Sequence, residues 1–356
     1  MSSGLPAGRL EVMDDAPAPR TRWSALALSA PWAAWAAVRA AGAERGFPLV
    51  PALAFTPYAA ASSVLPLAAA VLTRSRAATA VAAGSAAVLG SAVLRRTRPA
   101  PAAARADGPG LRVVSLNMLH GRADPAAAVA LATRHDADVL ALMEVTPEAV
   151  HGLLDAGVTD RLPAGHVVPA GEGQPAGAGG ALWTRLEVLH RSVVPGRFGQ
   201  PAVRLAVPGA PDVELTAAHT HPPARSRAQV ARWQADLRLL PEPTDDVLRV
   251  VAGDLNATPD HASFRALLSR GWVDAGLATG QGLRSTWSPM RVSWPRLTLD
   301  HVLVDPRIEV RSLDVVHVAG TDHRALVADL RLPATLGSGA GSVSRAAGSA
   351  PPPPGQ

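Results

Sequence analysis

Residues 49–72 carry no charged side chain, and a second uncharged run covers residues 77–94. A spanning helix needs about 20 mostly apolar residues, so the first run qualifies outright and the second is adequate. A weaker run at 23–38 precedes them, apolar apart from Ser24, Ser29 and Pro31 and flanked by Arg22 and Arg39. Such stretches either bury as helices in a soluble core or enter a bilayer, and a cleaved signal peptide accounts for only one of them. Three in succession favour the bilayer, so two or three membrane helices are expected over residues 23–94. Trp23, Trp32, Trp35 and Tyr58 suit interfacial positions. Orientation stays open: Arg9, Arg20 and Arg22, with Arg74 and Arg76, would oppose Arg95, Arg96 and Arg98 across the membrane, and the two sides nearly balance.

The chain of 356 residues leaves room for a large second domain. Its basic residues number 34 against 29 acidic ones, a net charge of +5, and every basic residue is arginine. With abundant Ala, Gly and Pro, this pattern fits coding pressure from a GC-rich genome, so the positive charge says little about nucleic acid. The absence of lysine excludes a P-loop. The absence of cysteine excludes disulfide frameworks, thiolate zinc sites and cysteine nucleophiles, and leaves the redox compartment open. Residues 95–110 read as a Pro/Arg-rich linker and 333–356 as a low-complexity tail, with residues 1–22 as an N-terminal tail.

Residues 111–332 alternate strand and helix signals. Runs at 111–116 and 138–143 are β-rich. Pro125–Arg134 reads as a helix with Asp124 as N-cap and proline at its first position, and 147–154 as another. Segments 181–184, 187–194, 202–207 and 213–218 follow without helices, as in an antiparallel meander. A helix at 224–240 leads to a strand at 247–252, and a helix at 261–268 precedes strands at 298–304, 308–318 and 325–332. Mixed strands flanked by helices imply two stacked sheets covered outside by helices.

The polar residues that close these strands carry the chemistry. Asn117 ends the first strand and Glu144 the second. A carboxylate closing an apolar strand is costly to bury unless it is paired or binds a metal; an exposed loop position or a helix cap is the plain alternative. Amide and carboxylate oxygens at neighbouring strand ends suit Mg²⁺. His219 follows the strand at 213–218 and is trailed by Thr220-His221-Pro222-Pro223. An H-x-H zinc pair is one reading, but the rest of that signature is missing; a surface histidine before a proline turn fits His221 better than His219. Asp254 and Asn256 lie two apart after Gly253, and in an extended segment they project the same way. One carboxylate could then orient water beside an amide that donates to a phosphate oxygen, with an Asx-turn as the structural alternative. Asp300-His301 and Asp322-His323 complete the set. A carboxylate fixes a histidine's tautomer and stabilises its imidazolium, as acid/base work requires. Adjacent residues on a strand face opposite ways, so the expected dyad is Asp300 with His323. No G-x-S-x-G precedes them, so a serine-hydrolase triad lacks its nucleophile elbow.

In this order the motifs resemble the endonuclease/exonuclease/phosphatase family, the metal-dependent fold of DNase I-like nucleases, inositol-phosphate phosphatases and sphingomyelinases. The matching residues are Ser115-Leu116-Asn117, Met143-Glu144, His219 with Pro222-Pro223, Gly253-Asp254-Leu255-Asn256, Leu299-Asp300-His301 and Thr321-Asp322-His323. The resemblance covers residues 111–332. It implies an α/β domain of α+β type, a four-layer α/β/β/α sandwich with the site at one end of its two sheets, preceded here by a small transmembrane helical region.

The resemblance also implies roles. Asn117 and Glu144 would hold Mg²⁺ (or Mn²⁺), with Glu144 the principal ligand and Asp322 a further metal-side carboxylate. His219 and Asn256 would contact the scissile phosphate, Asp254 would orient or deprotonate the attacking water, and His323, held by Asp300, would be the general acid/base or stabilise the transition state. Many nuclease members have an acid two residues after the asparagine; here Leu119 stands there, which weakens a second metal site and a repair-nuclease assignment. The expected function is membrane-anchored, Mg²⁺-dependent phosphoester hydrolysis acting on nucleic acid or on a phospholipid or sugar phosphate, with no obligate protein partner evident. The alternatives are a lipid or inositol phosphate phosphatase, or a non-catalytic membrane-tethered binding module on the same fold. Arg185, Arg204, Arg225 and Arg227 could meet phosphates, although scattered arginines are usually solvated, and few aromatics offer little base stacking. Family members built as a short membrane bundle before this domain imply a cell-membrane protein whose catalytic domain is extracytoplasmic.

Overall fold

The structure, a computed structural model, describes residues 19–100, 105–292 and 294–335. The first 18 residues of the expected N-terminal tail, part of the expected linker and nearly all of the expected C-terminal tail lie outside the described residues.

Residues 19–97 form a helical bundle. α1 (Pro19–Ala41) runs toward the rest of the chain, and the turn after it carries α2 (Leu49–Leu53). α3 (Thr56–Ser62) and α4 (Val64–Leu72) lead away again, and α5 (Arg76–Leu94) returns, packed on α1, α3 and α4. Ala25, Ala70, Ala78 and Ala82 are buried where the helices cross, since small side chains let backbones approach. The run at 49–72, expected to span outright, is divided. Pro51, Pro57 and Pro66 each lack the N–H that a continuous ladder needs, and Thr56–Leu72 is left as a shorter apolar helix. By contrast Arg76–Thr97 is long and apolar enough to cross a bilayer, the one such helix among the described residues. Trp32 and Trp35, partly buried, donate to the Ala59 carbonyl, Ser62 Oγ and Thr56 Oγ1 of α3.

The rest is a sandwich. Its elements in order are β1 (Gly110–Asn117), α6 (Pro125–Arg134), β2 (Val139–Val145), α7 (Pro147–Asp155), α8 (Val158–Arg161), β3 (Ala164–Val168), β4 (Gly179–Thr184), β5 (Glu187–Val193), β6 (Pro201–Ala206) and β7 (Val213–His219). They continue with α9 (Arg227–Leu239), β8 (Leu248–Asp254), α10 (Ala262–Leu268), β9 (Val273–Asp274), α11 (Ala275–Ala278), β10 (Asp300–Val304), β11 (Glu309–His317) and β12 (Arg324–Arg331). One sheet has the order β11-β12-β1-β2-β4-β3 and the other β5-β6-β7-β8-β10-β9. Alternation along the strands builds three cores. Val113, Val139, Ala141, Leu215 and Val250 meet between the sheets. Val114, Leu116, Leu140 and Leu142 pack outward under α6 and α7, and Ala218 and Val251 pack under α9 and α10. This is the four-layer α/β/β/α sandwich of DNase I-like type.

The expected four-strand meander is corrected: β4 stays in the first sheet between β2 and β3, and only β5, β6 and β7 form a meander. β4 is buried on both faces, as an interior strand must be, whereas β5 is a largely exposed edge. The edge strand β3, half exposed and containing Gly165, carries no run of β-formers that would have announced it.

The bundle and the sandwich share a joint. Val50 of α2 is fully buried in the core under α9 and α10, beside Trp233 and Phe264. Asp260, also fully buried, pairs with Arg39 at 2.7 Å and with Arg96. Glu44 accepts the Ala262 N–H at the start of α10, and His261 Nε2 lies 3.0 Å from the Val50 carbonyl.

Candidate active site

Each sheet holds one parallel strand pair, β1 with β2 and β7 with β8, and the remaining pairs are antiparallel. Asn117 and Glu144 lie at the carboxyl ends of the first pair, and His219 and Asp254 end the second. Stacking the sheets brings both ends to one edge of the sandwich. Gly253 makes the second pair possible, because a Cβ there would come within 1.9 Å of the Ala218 carbonyl oxygen. No other residue fits that approach.

The backbone is strained where the side chains are aimed. A bulge between Met143 and Val145 leaves Glu144 at φ +56, and Leu119, His120 and Asn256 are also left-handed, at φ +47, +52 and +46. Each such non-glycine residue costs about 1–2 kcal/mol, and the cluster coincides with the site, as stored strain commonly does.

Hydrogen bonds knit the set together. Asn117 Nδ2 donates to Glu144 Oε1 at 2.9 Å and to Asp254 Oδ2 at 3.0 Å, so one amide joins carboxylates of both sheets. Its oxygen accepts the Leu119 N–H, and the Thr321 hydroxyl donates to its carbonyl. The second oxygen of Glu144 accepts the His120 N–H at 2.8 Å. His219 Nε2 stands 3.7 Å from Glu144 Oε1 and 3.9 Å from Asp254 Oδ2, its ring stacked on Phe198 and its backbone N–H donating to Gln200 Oε1. Asn256 closes an Asx-turn on Asp254 Oδ1 while its amide donates to the Thr220 carbonyl. That turn replaces the extended geometry expected of the Asp254–Asn256 step, yet both residues still line the same cleft.

On the far side, His323 Nδ1 lies 2.9 Å from Asp300 Oδ2, and its Nε2 is 3.7 Å from Asp254 Oδ2. His301 turns away to pair with Asp274 at 2.6 Å. Asp322 also faces the cleft, with Oδ2 held by the Trp287 indole N–H at 2.9 Å. Its Oδ1 is buried with no hydrogen-bond partner among the described residues, 3.9 Å from His323 Nε2. His221 bonds the Pro222 carbonyl and stacks on Phe198, apart from the carboxylates.

The electrostatics separate the roles. Burial lowers His219 to about 4, so it is neutral at physiological pH. Burial opposes the charge on His323 too, but Asp300 and Asp254 outweigh it and hold the imidazolium up to about 10. Burial and the nearby Asp300 charge push Asp254 up to about 7. Glu144 is buried as well, yet His219, Asn117 and His120 keep it below its usual value.

Two groups could hold an ion: Glu144, His219 and Asp254, and Asp254, Asp300 and His323, the atoms of each lying within 4.8 Å of one another. The donor set fits a hard divalent cation. Its carboxylates are crowded enough to raise Asp254, and a cation among them would relieve that repulsion. Asp322 belongs to neither group.

The cleft measures about 660 Å³, and Pro51, Ala54 and Phe55 of the helical bundle form part of its wall. Sequence reasoning missed these three, and it missed His120, Gln200 and Trp287. Bonds from loops to distant partners leave no local pattern; only His120, three residues after Asn117, lay close enough to be suspected.

The sequence model of the Endonuclease/Exonuclease/phosphatase family matches residues 114–323. Among similar solved structures, an endonuclease/exonuclease/phosphatase from Beutenbergia cavernae DSM 12333 is 20% identical, covering 63% of this chain and 72% of that one with a TM-score of 0.49. A family protein from Leptotrichia buccalis C-1013-b is 14% identical over 62% of this chain and 100% of its own, at a TM-score of 0.49. D. rerio TDP2, complexed with single strand DNA product, is 16% identical over 62% and 99%, at 0.48. No curated protein matches the chain.

Proposed function

Because the chain belongs to the endonuclease/exonuclease/phosphatase family, hydrolases that act on phosphoester bonds, we propose that it cleaves a phosphodiester by in-line attack of water, dependent on Mg²⁺ or Mn²⁺ and anchored in a membrane. The observation that carries this reading is the convergence of Asn117, Glu144, His219, Asp254, Asn256, Asp300 and His323 from two sheets onto one edge.

In the proposed mechanism His219, neutral, and Asn256 orient the scissile phosphate. Asp254 orients the water and takes its proton at neutral pH. His323 is already an imidazolium at that pH, so it acts as an acid or as fixed positive charge beside the phosphoryl oxygens, not as the base. Asp300 holds its ring and its charge. Glu144, with Asn117 and the Asp254 edge, would hold the cation, which when bound neutralises charge developing on the phosphoryl oxygens. Asn117 gives its oxygen to Leu119 N–H, so direct ligation by Asn117 requires its amide to turn. Asp322 then serves the His323 side of the cleft.

Residues 23–94 are proposed as the membrane region and 111–332 as the catalytic domain. The outward faces support this: Val64, Leu65, Val71 and Leu72 are exposed on the bundle, and Arg76–Thr97 is mostly exposed and apolar. An extracytoplasmic catalytic domain at the cell membrane is the matching localisation. A substrate panel tests the function: plasmid DNA, a chromogenic phosphodiester, a phosphoinositide and sphingomyelin, each with Mg²⁺ and with EDTA. Cleavage of none of them with Mg²⁺ contradicts the reading.

A further inference from the structure

A second cavity, about 580 Å³, opens where α3 meets the sandwich and shares Ala54 and Leu297 with the catalytic cleft. Arg284, Arg296 and Arg324 line it from the sandwich together with Arg96, and no carboxylate among the described residues lines it. Arg96 is committed to Asp260. Arg324 is aimed by one guanidinium nitrogen that donates to Ser285 O and Oγ, both at 2.6 Å. Arg284 is exposed. The Arg284 and Arg324 guanidiniums, facing a space that no described carboxylate lines, suit a phosphate.

The opposite wall is apolar, built from Ala54, Pro57 and Ala61 with the Tyr58 ring. Tyr58 also fixes the rim: its hydroxyl donates to the Arg296 carbonyl and accepts the Arg296 N–H, and its ring meets Trp294 edge-on at 5.6 Å. The loop holding Trp294 exposes three large apolar side chains, Met290 at 56%, Val292 at 57% and Trp294 at 63%. They stand at the end of the bundle nearest the sandwich. Cationic groups lying between an apolar helix and an apolar loop match the headgroup level of a bilayer.

We propose that this cavity binds the phosphate of an anionic phospholipid and thereby holds the mouth of the catalytic cleft against the bilayer surface. The inference rests on the membrane reading of the bundle. A nucleic-acid strand leaving the cleft would use the same arginines but has no need of the apolar wall and exposed loop, so the lipid is favoured.

The test uses the full chain. Flotation with neutral phosphatidylcholine vesicles examines anchoring alone, and is expected for the wild type and for Arg284→Glu. Native mass spectrometry of protein released from bilayers holding equal phosphatidylcholine and phosphatidylglycerol then counts the retained lipid. The wild type is expected to prefer phosphatidylglycerol by about tenfold or more. Arg284→Glu should remove that preference and Arg284→Lys should keep it, with hydrolysis of a soluble chromogenic phosphodiester unchanged in both. Equal retention by the wild type, or a preference that survives Arg284→Glu, overturns the proposal. So does displacement of the lipid by equimolar inorganic phosphate or by a short single-stranded oligonucleotide, which would assign the cavity to those ligands. A chain that fails to float with neutral vesicles overturns the anchoring itself, and the lipid site with it.

Discussion

His323 and Asp300 are joined across the two sheets of the sandwich, Nδ1 to Oδ2 at 2.9 Å, although Asp300 opens β10 of one sheet and His323 immediately precedes β12 of the other. The pair therefore exists only when the sheets are stacked correctly. Its ionic character, with His323 held up to about 10, makes Asp300 part of the charge on the imidazolium.

Asp300→Asn keeps the size and most of the hydrogen bonding but removes that charge. The expected outcome is a fall in kcat of about 10²-fold or more with KM little changed, read with a chromogenic phosphodiester. A loss confined to KM would show that the pair only shapes the cleft.

Asp254 offers a stability test of opposite sign. Its folded value of about 7 lies above the ordinary aspartate value of 3.8, so the folded state tolerates its proton better than its charge, and the site loses stability as pH rises through that interval. Asp254→Asn should therefore raise the melting temperature of the EDTA-treated protein at pH 8 by about 2–4 °C while abolishing hydrolysis. Added Mg²⁺ should raise the wild-type melting temperature more than that of the variant. A variant that melts lower than the wild type under EDTA would contradict the crowding of carboxylates.

The joint between bundle and sandwich depends on Asp260. Asp260→Ala leaves Arg39 and Arg96 without their shared buried partner, a change that typically costs about 3–5 kcal/mol. Melting curves should show that loss, and trypsin should reach Arg39 and Arg45 faster in the variant. Unaltered cleavage would mean the bundle is held by Val50 and its neighbours alone.

His261 makes the same joint pH-dependent. Its Nδ1 accepts the Thr258 N–H and its Nε2 faces the Val50 carbonyl, so the ring is needed neutral. Burial lowers it from 6.5 to about 4. The unfolded chain takes up the proton first as pH falls, so this stability is complete above about pH 6.5 and drains away toward pH 4, roughly 3 kcal/mol in all. Thermal melts between pH 7.5 and 4.5 should show a slope that His261→Gln flattens. Equal slopes would remove His261 from the account.

Much of the sandwich was legible because its signals are local. Asp124 followed by Pro125 marked the start of α6, and short apolar, β-rich runs marked β1, β2, β7 and β8. The ordered strand-end residues pointed to the site, and the expectation that Asp300 would partner His323 rested only on the opposite facing of strand neighbours. What stayed hidden depends on contacts between distant segments. Nothing around Trp287 announces that its indole will hold Asp322, 35 residues on. Nothing in residues 49–55 says that Val50 will enter the sandwich core or that Phe55 will wall the cleft. The prolines that divide the run at 49–72 were present in the sequence but were outweighed by its lack of charge.

Hydrolysis of a chromogenic phosphodiester by the full chain, measured with Mg²⁺ and after EDTA beside Glu144→Ala and His323→Ala, tests the central claim most directly. Hydrolysis that Mg²⁺ supports, EDTA stops, and each substitution lowers by about 10²-fold or more without altering the fold is the predicted result. Wild-type rates in Glu144→Ala, or activity undiminished by EDTA, would contradict it.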